Sequence, residues 1–433
     1  MRVEGIHRPC RLSCLFLIVL QLVVPGSCLD DNHDSAICTW NIGAGFPSMR
    51  QVETYESWET CPPVGNQVQW SQPPTCLEQR DEQDEEEDSP VDCVFTLATY
   101  RHHRGISIIT TPDLSGSLAA HLDDSILSPE LRINLSRPVR PELPYEIQDI
   151  RGRGKGLIAT RDISKYETIM IDFPALVVRL GFINEEQHTQ RQKRRLMQKG
   201  VSQLPAARKG AVMGLARSRG GDLILDILQT NGFGIEIGGV QHLALFPEGS
   251  RINHNCRPNA YWRYVNSNMA MEVVALRDIR AGEEIAHSYA PLGNTYQQRK
   301  AILQAWGFRC SCPLCTASPA ERDASDRRRE RLVEIHGILG QASELGDSRR
   351  IGQLVLEAVG LIEKEELEPQ LVEYYQQFAK AYIMTGDFGR AREFVKLADQ
   401  LWVLYGGEEH ENVEGMRQLW QALEEAERDA EDD

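Results

Sequence analysis

Beyond one short apolar run near the start, Leu12 to Val24, no stretch of the 433 residues approaches membrane-spanning length, which excludes a bundle of membrane helices. Acidic residues are missing from Gln187 to Gly221, where nine Lys and Arg stand alone as a block able to attract an acidic partner. Aromatic residues are missing from the same block. Base stacking therefore has no platform there, and a nucleic-acid role is not expected. Cysteine is missing between Cys93 and Cys256, so the eleven cysteines fall into separate groups that require separate explanations.

What remains is ordinary for a soluble globular chain of two or three domains: 41% hydrophobic and 25% charged residues. The formal charge of −16 is concentrated in two segments. Asp81–Asp88 carries −7 and Glu424–Asp433 carries −6, and both are expected to be solvated and disordered. Arg2, Arg8 and Arg11 precede the apolar run, and Pro25 to Cys28 offers small residues for cleavage. Residues 1–28 are expected to be a secretory signal, with an uncleaved anchor or a mistaken start codon as the other readings.

Three cysteines fall inside that segment. Cys38, Cys61, Cys76 and Cys93 could form two disulfides in an oxidising compartment, with three connectivities open. Residues 29–140, rich in Pro, Gly, Gln and acids, are expected to be poorly packed. They contain the glycosylation sequon Asn134-Leu135-Ser136. From Tyr145 the texture changes to short β-rich runs with tight turns, interrupted by a helical stretch over 183–230 and resuming through 290. Ala159 to Glu167 (ATRDISKYE) echoes Ala275 to Glu284 (ALRDIRAGEE), which implies two similar strand-turn-strand units. The chain is expected to be helical over 320–424, before an acidic tail at 425–433. There Tyr374, Phe378 and Tyr382 line one helix, Gly386 and Asp387 mark a stop and a cap, and Ala391, Phe394, Ala398, Leu401 and Tyr405 line the next. The pair resembles a tetratricopeptide unit, and its apolar stripe is expected to be core.

Three features carry chemistry. Cys310-x-Cys312-x-x-Cys315 offers three thiolate ligands in six residues, and Cys256 is the fourth cysteine of this half of the chain; together they suit a structural zinc ion, the alternative being a disulfide with spare thiols. Arg153-Gly154-Lys155-Gly156 is a glycine turn whose backbone can approach an anionic ligand. Tyr289 ends the strand-like GEEIAHSY, where a buried ring and a bonded hydroxyl would be the ordinary role.

Taken in order, GRGKGLIATRDI, RINHNCRPNA, GEEIAHSYAPL and CSCPLC resemble the motif set of SET-domain methyltransferases over about residues 145–316. The helical insertion and tail resemble the SET and MYND branch and its fungal relatives, although no cysteines stand where a MYND zinc module would lie. The resemblance implies an α+β protein with a β-rich SET fold at 145–290 (a pseudoknot-like β-clip), a zinc-closed segment at 291–316 and a helical tail. It implies S-adenosylmethionine-dependent methylation of a protein lysine, with histones among the eligible substrates. A catalytically inactive scaffold that binds partners through its tail and acidic segments is the rival reading. By motif, Arg153, Gly154, Lys155, Asn231, Asn253, His254 and Phe308 would meet the cofactor. Tyr289 would sit where methyl donor and amine meet, while Cys256, Cys310, Cys312 and Cys315 would hold zinc. Asn255 and His287 depart from the family's usual residues. The expected state is a monomer without a membrane span once the signal is removed. The expected compartment is the secretory pathway if the signal is genuine, and otherwise the nucleus or cytoplasm.

Overall fold

Short β-branched runs dominate the first half of the chain, and they pair over long sequence distances. The computed structural model describes residues 70–77, 91–136, 142–184, 188–341 and 348–432. The expected signal at 1–28, Cys38, Cys61 and the acidic run Asp81–Asp88 lie outside the described residues. The strands are β1 (Thr75–Cys76), β2 (Cys93–Leu97), β3 (Ile106–Thr110), β4 (Tyr145–Ile150), β5 (Gly154–Ala159), β6 (Thr168–Asp172), β7 (Leu176–Arg179), β8 (Phe233–Ile237), β9 (Val240–Leu245), β10 (Asn253–His254), β11 (Ala260–Val265), β12 (Ala270–Ala275) and β13 (Glu284–His287). They form three sheets, ordered β1-β2-β3-β7-β9-β8, β10-β13-β5-β4 and β11-β12-β6.

The six-stranded sheet is buried on both faces. On one side Val94, Ile109, Leu176, Val178 and Leu245 pack against the helices Gln190–Gln203 and Leu223–Asn231 through Leu196, Met197, Val201, Ile227 and Leu228. On the other side Ile106, Ile108 and Val177 join the core made with Leu157, Met170, Val273 and Ile285 of the smaller sheets. A two-sided burial explains why β3 (ISIIT) and β7 (LVVR) read as continuous apolar runs without alternation.

Within 29–140 the described residues 93–110 depart from the expectation of poor packing. Strand β3 pairs in parallel with β7 (Ile108↔Val177), so residues 93–110 lie in the middle of the sheet. Their partner lies some seventy residues onward, and the Pro- and acid-rich surroundings conceal a pairing of that length. The Cys76–Cys93 disulfide joins register partners of β1 and β2 and is the one pairing present among the described residues. Asn134 of the sequon is exposed on the helix Pro129–Ser136. The basic block is also partly turned inward. Lys193 donates to the Ile183 carbonyl at 2.7 Å, Arg194 pairs with Asp222 at 2.8 Å, and buried Arg208 faces Asp172.

The two echoing segments meet about a quasi-twofold axis. Ile163 and Ile279 exchange backbone hydrogen bonds at 2.8 and 2.9 Å. Asp162 accepts from the Ala281 amide, and Asp278 accepts from the Lys165 amide, both at 2.9 Å. Within each unit the arginine pairs with the glutamate six residues on, Arg161 with Glu167 and Arg277 with Glu283. Gly282 takes the left-handed conformation its turn needs (φ 82°), and Tyr166 at the matching position adopts it without being glycine (φ 68°). Its hydroxyl hydrogen-bonds Glu368 of the helical tail, whose other oxygen pairs with Lys165 at 2.8 Å.

The tail consists of Pro319–Leu339, Ser348–Glu365, Leu371–Met384, Phe388–Gly406 and Glu411–Asp432. Asp387 caps the fourth of these at the Arg390 amide, and Tyr374, Phe378, Tyr382, Ala391, Val395 and Ala398 fill the tail's core. Arg263 of β11 donates to the carbonyls of Val403 and Leu404, fixing the tail to the sheets. The expectation of a disordered 424–433 is corrected through Asp432, because Leu419 and Leu423 are buried and Glu427 pairs with Arg392.

Arg101, fully buried, holds the N-terminal segment to the rest. It donates to the carbonyls of His121, Leu122, Asp123 and Asn268 and to Asp124 at 2.8 Å, and it lies 4.5 Å from the Tyr100 ring centroid and 5.1 Å from that of Phe173. Replacing Arg101 by Met leaves those carbonyls unpaired. Urea unfolding is expected to show a loss of about 3 kcal/mol, and a change under 0.5 kcal/mol, the ordinary range of a surface substitution, would refute this role.

Candidate active site and metal centre

The four-stranded sheet places segments from three parts of the sequence side by side. Strand β5 continues from the glycine turn and pairs antiparallel with β13 (Glu284↔Ile158, Ile285↔Leu157). Strand β13 pairs in parallel with β10 (Asn253↔Ala286, His254↔His287). Asn259, almost fully buried, locks the last strand from outside: its Oδ1 accepts from the Ala286 amide at 2.8 Å and its Nδ2 donates to the Glu284 carbonyl at 2.9 Å.

Polar side chains then join the three segments. Arg153 donates to Glu284 Oε2 and to the His254 carbonyl, each at 2.6 Å, and Asn253 donates to Glu284 Oε1 at 2.9 Å. No space is spared beneath them. A Cβ on Gly156 would lie 2.3 Å from Ile150 Cδ1 and 2.7 Å from Asn253 Nδ2, so a side chain there would have to displace Ile150 and the Asn253 amide that bonds Glu284. Gly154 has φ 70° at the tip of the β4–β5 hairpin.

Tyr289 lies beyond β13, its hydroxyl donating to the Ile252 carbonyl at 2.8 Å. Its ring is surrounded by His287 (centroids 4.9 Å apart), His254 (5.4 Å), Trp306 (5.4 Å) and Phe308 (6.1 Å, edge-on). Burial pushes its phenol above the usual tyrosine range, so the group is a neutral hydrogen-bond donor with no phenolate to act as a base. Burial, with His287 and Arg153 nearby, brings His254 down to about 3, and burial brings His287 down to about 4. Both imidazoles are neutral at physiological pH. His287 Nδ1 donates to the Ser288 carbonyl at 3.1 Å, and its Nε2 has no hydrogen-bond partner among the described residues.

Not every residue singled out from the sequence faces the site with its side chain. Lys155 extends to Asp149 on the hairpin surface at 3.3 Å, so only its backbone is available inward. Asn231 donates both amide hydrogens to the carbonyls of Ala216 and Ile227, and its own carbonyl accepts from Ser250 at 3.1 Å. His254 has both ring nitrogens committed, Nδ1 to the Tyr289 amide at 2.9 Å and Nε2 to Cys256 Sγ at 3.2 Å. Glu284 and Trp306 join the site without belonging to the residues that the motifs single out. Period-two alternation along EEIAH puts Glu284 on the face opposite Ile285 and was the available signal for it; Trp306, also faced by Arg219 at 5.7 Å, had none.

The sulfurs of Cys256, Cys310, Cys312 and Cys315 lie within 4.8 Å of one another, with Cys256 at 3.5 Å from Cys315 and 3.9 Å from Cys310. Tetrahedral thiolates around a zinc-sized ion are about 3.8 Å apart, so the residues fit such a group. The surroundings agree. Arg299 and Arg329 are buried, both bond the Asn294 carbonyl, and Arg299 Nε and Nη2 and Arg329 Nη2 lack partners among the described residues. Leu303, one turn after Arg299, packs on Cys256 and Cys312. Arg329 also pairs with Glu365, whereas Arg299 has no carboxylate partner among the described residues; four thiolates around a divalent ion carry a net −2, the anion that Arg299 lacks when the sulfurs are neutral thiols.

Residues 154–290 match the SET domain family. The chain is similar to the histone-lysine N-methyltransferase set5 of Schizosaccharomyces pombe, 30% identical over 171 residues, which are 39% of this chain and 53% of that protein. It is similar to the protein-lysine N-trimethyltransferase SMYD5 of Mus musculus, 35% identical over 107 residues (24% of this chain, 26% of that one). A third relative is the N-lysine methyltransferase SMYD2-A of Danio rerio, 32% identical over 137 residues (31% and 28%). The chain thus spans about half the length of the first relative and about a quarter of the other two.

The neutral His287 makes stability depend on pH with a definite sign. Its folded-state pKa lies below the unfolded value, so its contribution is complete above about pH 6.5 and is lost as pH falls toward 4. Calorimetric melts are expected to show the wild type losing roughly 3 kcal/mol more than His287→Leu across that window. Equal losses in both proteins would contradict a buried neutral imidazole.

Proposed function

We propose that this chain, built around the SET domain at residues 154–290, is an S-adenosylmethionine-dependent protein-lysine methyltransferase. The observation that carries the reading is the convergence of the glycine turn, Asn253 and Tyr289 on one sheet, with the Arg153–Glu284–Asn253 network intact. The names of the related proteins point the same way.

When bound, the cofactor supplies an activated methyl group and its own leaving group, so the protein's task is alignment. The backbone of Arg153, Gly154 and Lys155 lines one side of the cofactor site, Asn253 with the backbone of His254 lines the other, and Phe308 forms the outer wall. Asn231 supports this site from behind through Ser250. Tyr289 holds the position between methyl and amine: its hydroxyl is fixed on the Ile252 carbonyl, and its ring packs beside Trp306 and His287. An ammonium brought against those rings is desolvated and releases its proton more easily. Cys256, Cys310, Cys312 and Cys315 hold a structural zinc ion, which keeps Trp306 and Phe308 in place beside Tyr289. The tail helices act as a tetratricopeptide-like packing scaffold. The substrate is a protein presenting a lysine, histones included, and the working form is a monomer. With residues 1–28 acting as a signal, the substrate is met in the secretory pathway, and otherwise in the nucleus or cytoplasm.

Purified protein, labelled cofactor and a proteome extract test the reading. Tyr289→Phe is expected to retain cofactor binding by calorimetry and to lose methyl transfer by tenfold or more, about 1.4 kcal/mol or more of barrier; unchanged turnover would refute the assignment. Elemental analysis of the reduced protein is expected to find one zinc per chain, and a content near zero would remove the metal.

A further inference from the structure

We propose that His254 is a positioning residue that couples the metal centre to Tyr289 through its two ring nitrogens. The inference rests on the reading of the four cysteines as a loaded metal site. A backbone N–H can only donate, so the Tyr289 amide, 2.9 Å from Nδ1, requires a lone pair there. The ring is then the neutral tautomer that carries its hydrogen on Nε2, and that hydrogen points at Cys256 Sγ, 3.2 Å away. A thiolate ligand is the matching acceptor, and an N–H···S bond to a metal-bound sulfur is an outer-shell contact of the kind that tunes a metal site.

The rest of the residue is held as firmly. Its carbonyl accepts from Arg153 at 2.6 Å, and the next amide, Asn255, donates to the His287 carbonyl at 2.8 Å. With the backbone fixed, the imidazole can answer to only two partners, the sulfur and the tyrosine amide. Loss of the metal turns the anionic sulfur into a thiol, weakens the bond that orients the ring and loosens Tyr289 at its backbone. Metal loading thereby sets the placement of the residue assigned to methyl transfer, separately from any effect on the cysteine segment.

The full chain loaded with cobalt(II) provides the test. His254→Asn keeps an acceptor near the Nδ1 position and removes the donor to sulfur, whereas His254→Gln keeps a donor near the Nε2 position. The sulfur-to-cobalt charge-transfer band is expected to shift in the Asn variant and to stay in place in the Gln variant. Chelator competition should show metal affinity lowered roughly tenfold in the Asn variant alone. A measurement on the unmutated protein guards against misfolded variants. Stripping the metal is expected to speed hydrogen exchange at the Tyr289 amide by tenfold or more while β4 and β5 amides keep their protection. A wild-type protein with no thiolate–cobalt band would overturn the metal reading and this inference with it. A normal band that is identical in the Asn variant, or a Tyr289 amide indifferent to metal removal, would overturn the inference alone.

Discussion

The candidate site depends on a parallel ladder of two rungs. Asn253 sits opposite Ala286 and His254 opposite His287, and through this contact a loop and a strand that end some thirty residues apart share one edge. Parallel strands cannot be joined by a tight turn, so the chain must leave through β11 and β12 and return. A ladder that short has little stability of its own. Its persistence is explained by side chains that bridge it: Asn259 on the backbone of β13, and Glu284 between Arg153 and Asn253.

The polar groups around this ladder divide into two electrostatic environments. Along the glycine turn and β10 a half-buried ion pair, Arg153 with Glu284, organises neutral donors and acceptors, and the two imidazoles stay uncharged. Behind the cysteines the balance is cationic. Arg257, Arg328 and Arg329 converge on the fully buried carboxylate of Glu365, which Ser325 also bonds, and Arg299 has no carboxylate partner among the described residues. Glu365 lies on the tail, so the charges gathered behind the sulfurs also attach the helices to the strand-bearing half.

Much of this was readable in the amino-acid order, and the reasons are physical. The glycine turn, the Asn-His pair and the closing cysteines each need particular residue types at fixed short spacing, which a sequence states openly. The repeat at Ile163 and Ile279 was equally open because its two copies use the same Arg, Asp and Glu contacts. The concealed features were those defined by partners far away. Strand β3 is identified by β7, and Glu284 acquires its place only when Arg153 and Asn253 arrive. The side-chain direction of Asn231 is concealed for the same reason, since Ala216 and Ile227 claim its amide.

The parallel seating of β3 on β7 changes what counts as the unit of inheritance here. The segment 154–290 matches the SET domain family, yet Ile106 and Ile108, which lie outside it, belong to the same hydrophobic core as Leu157 and Ile285 within it. A cut at residue 154 would strip β7 of its inner neighbour and leave the unpaired N–H and C=O groups of an apolar strand in water, the kind of edge on which chains stick to one another. The motif-bearing stretch is therefore not a transplantable module. Its interior is completed by upstream sequence that carries none of the motifs, and both must be inherited together.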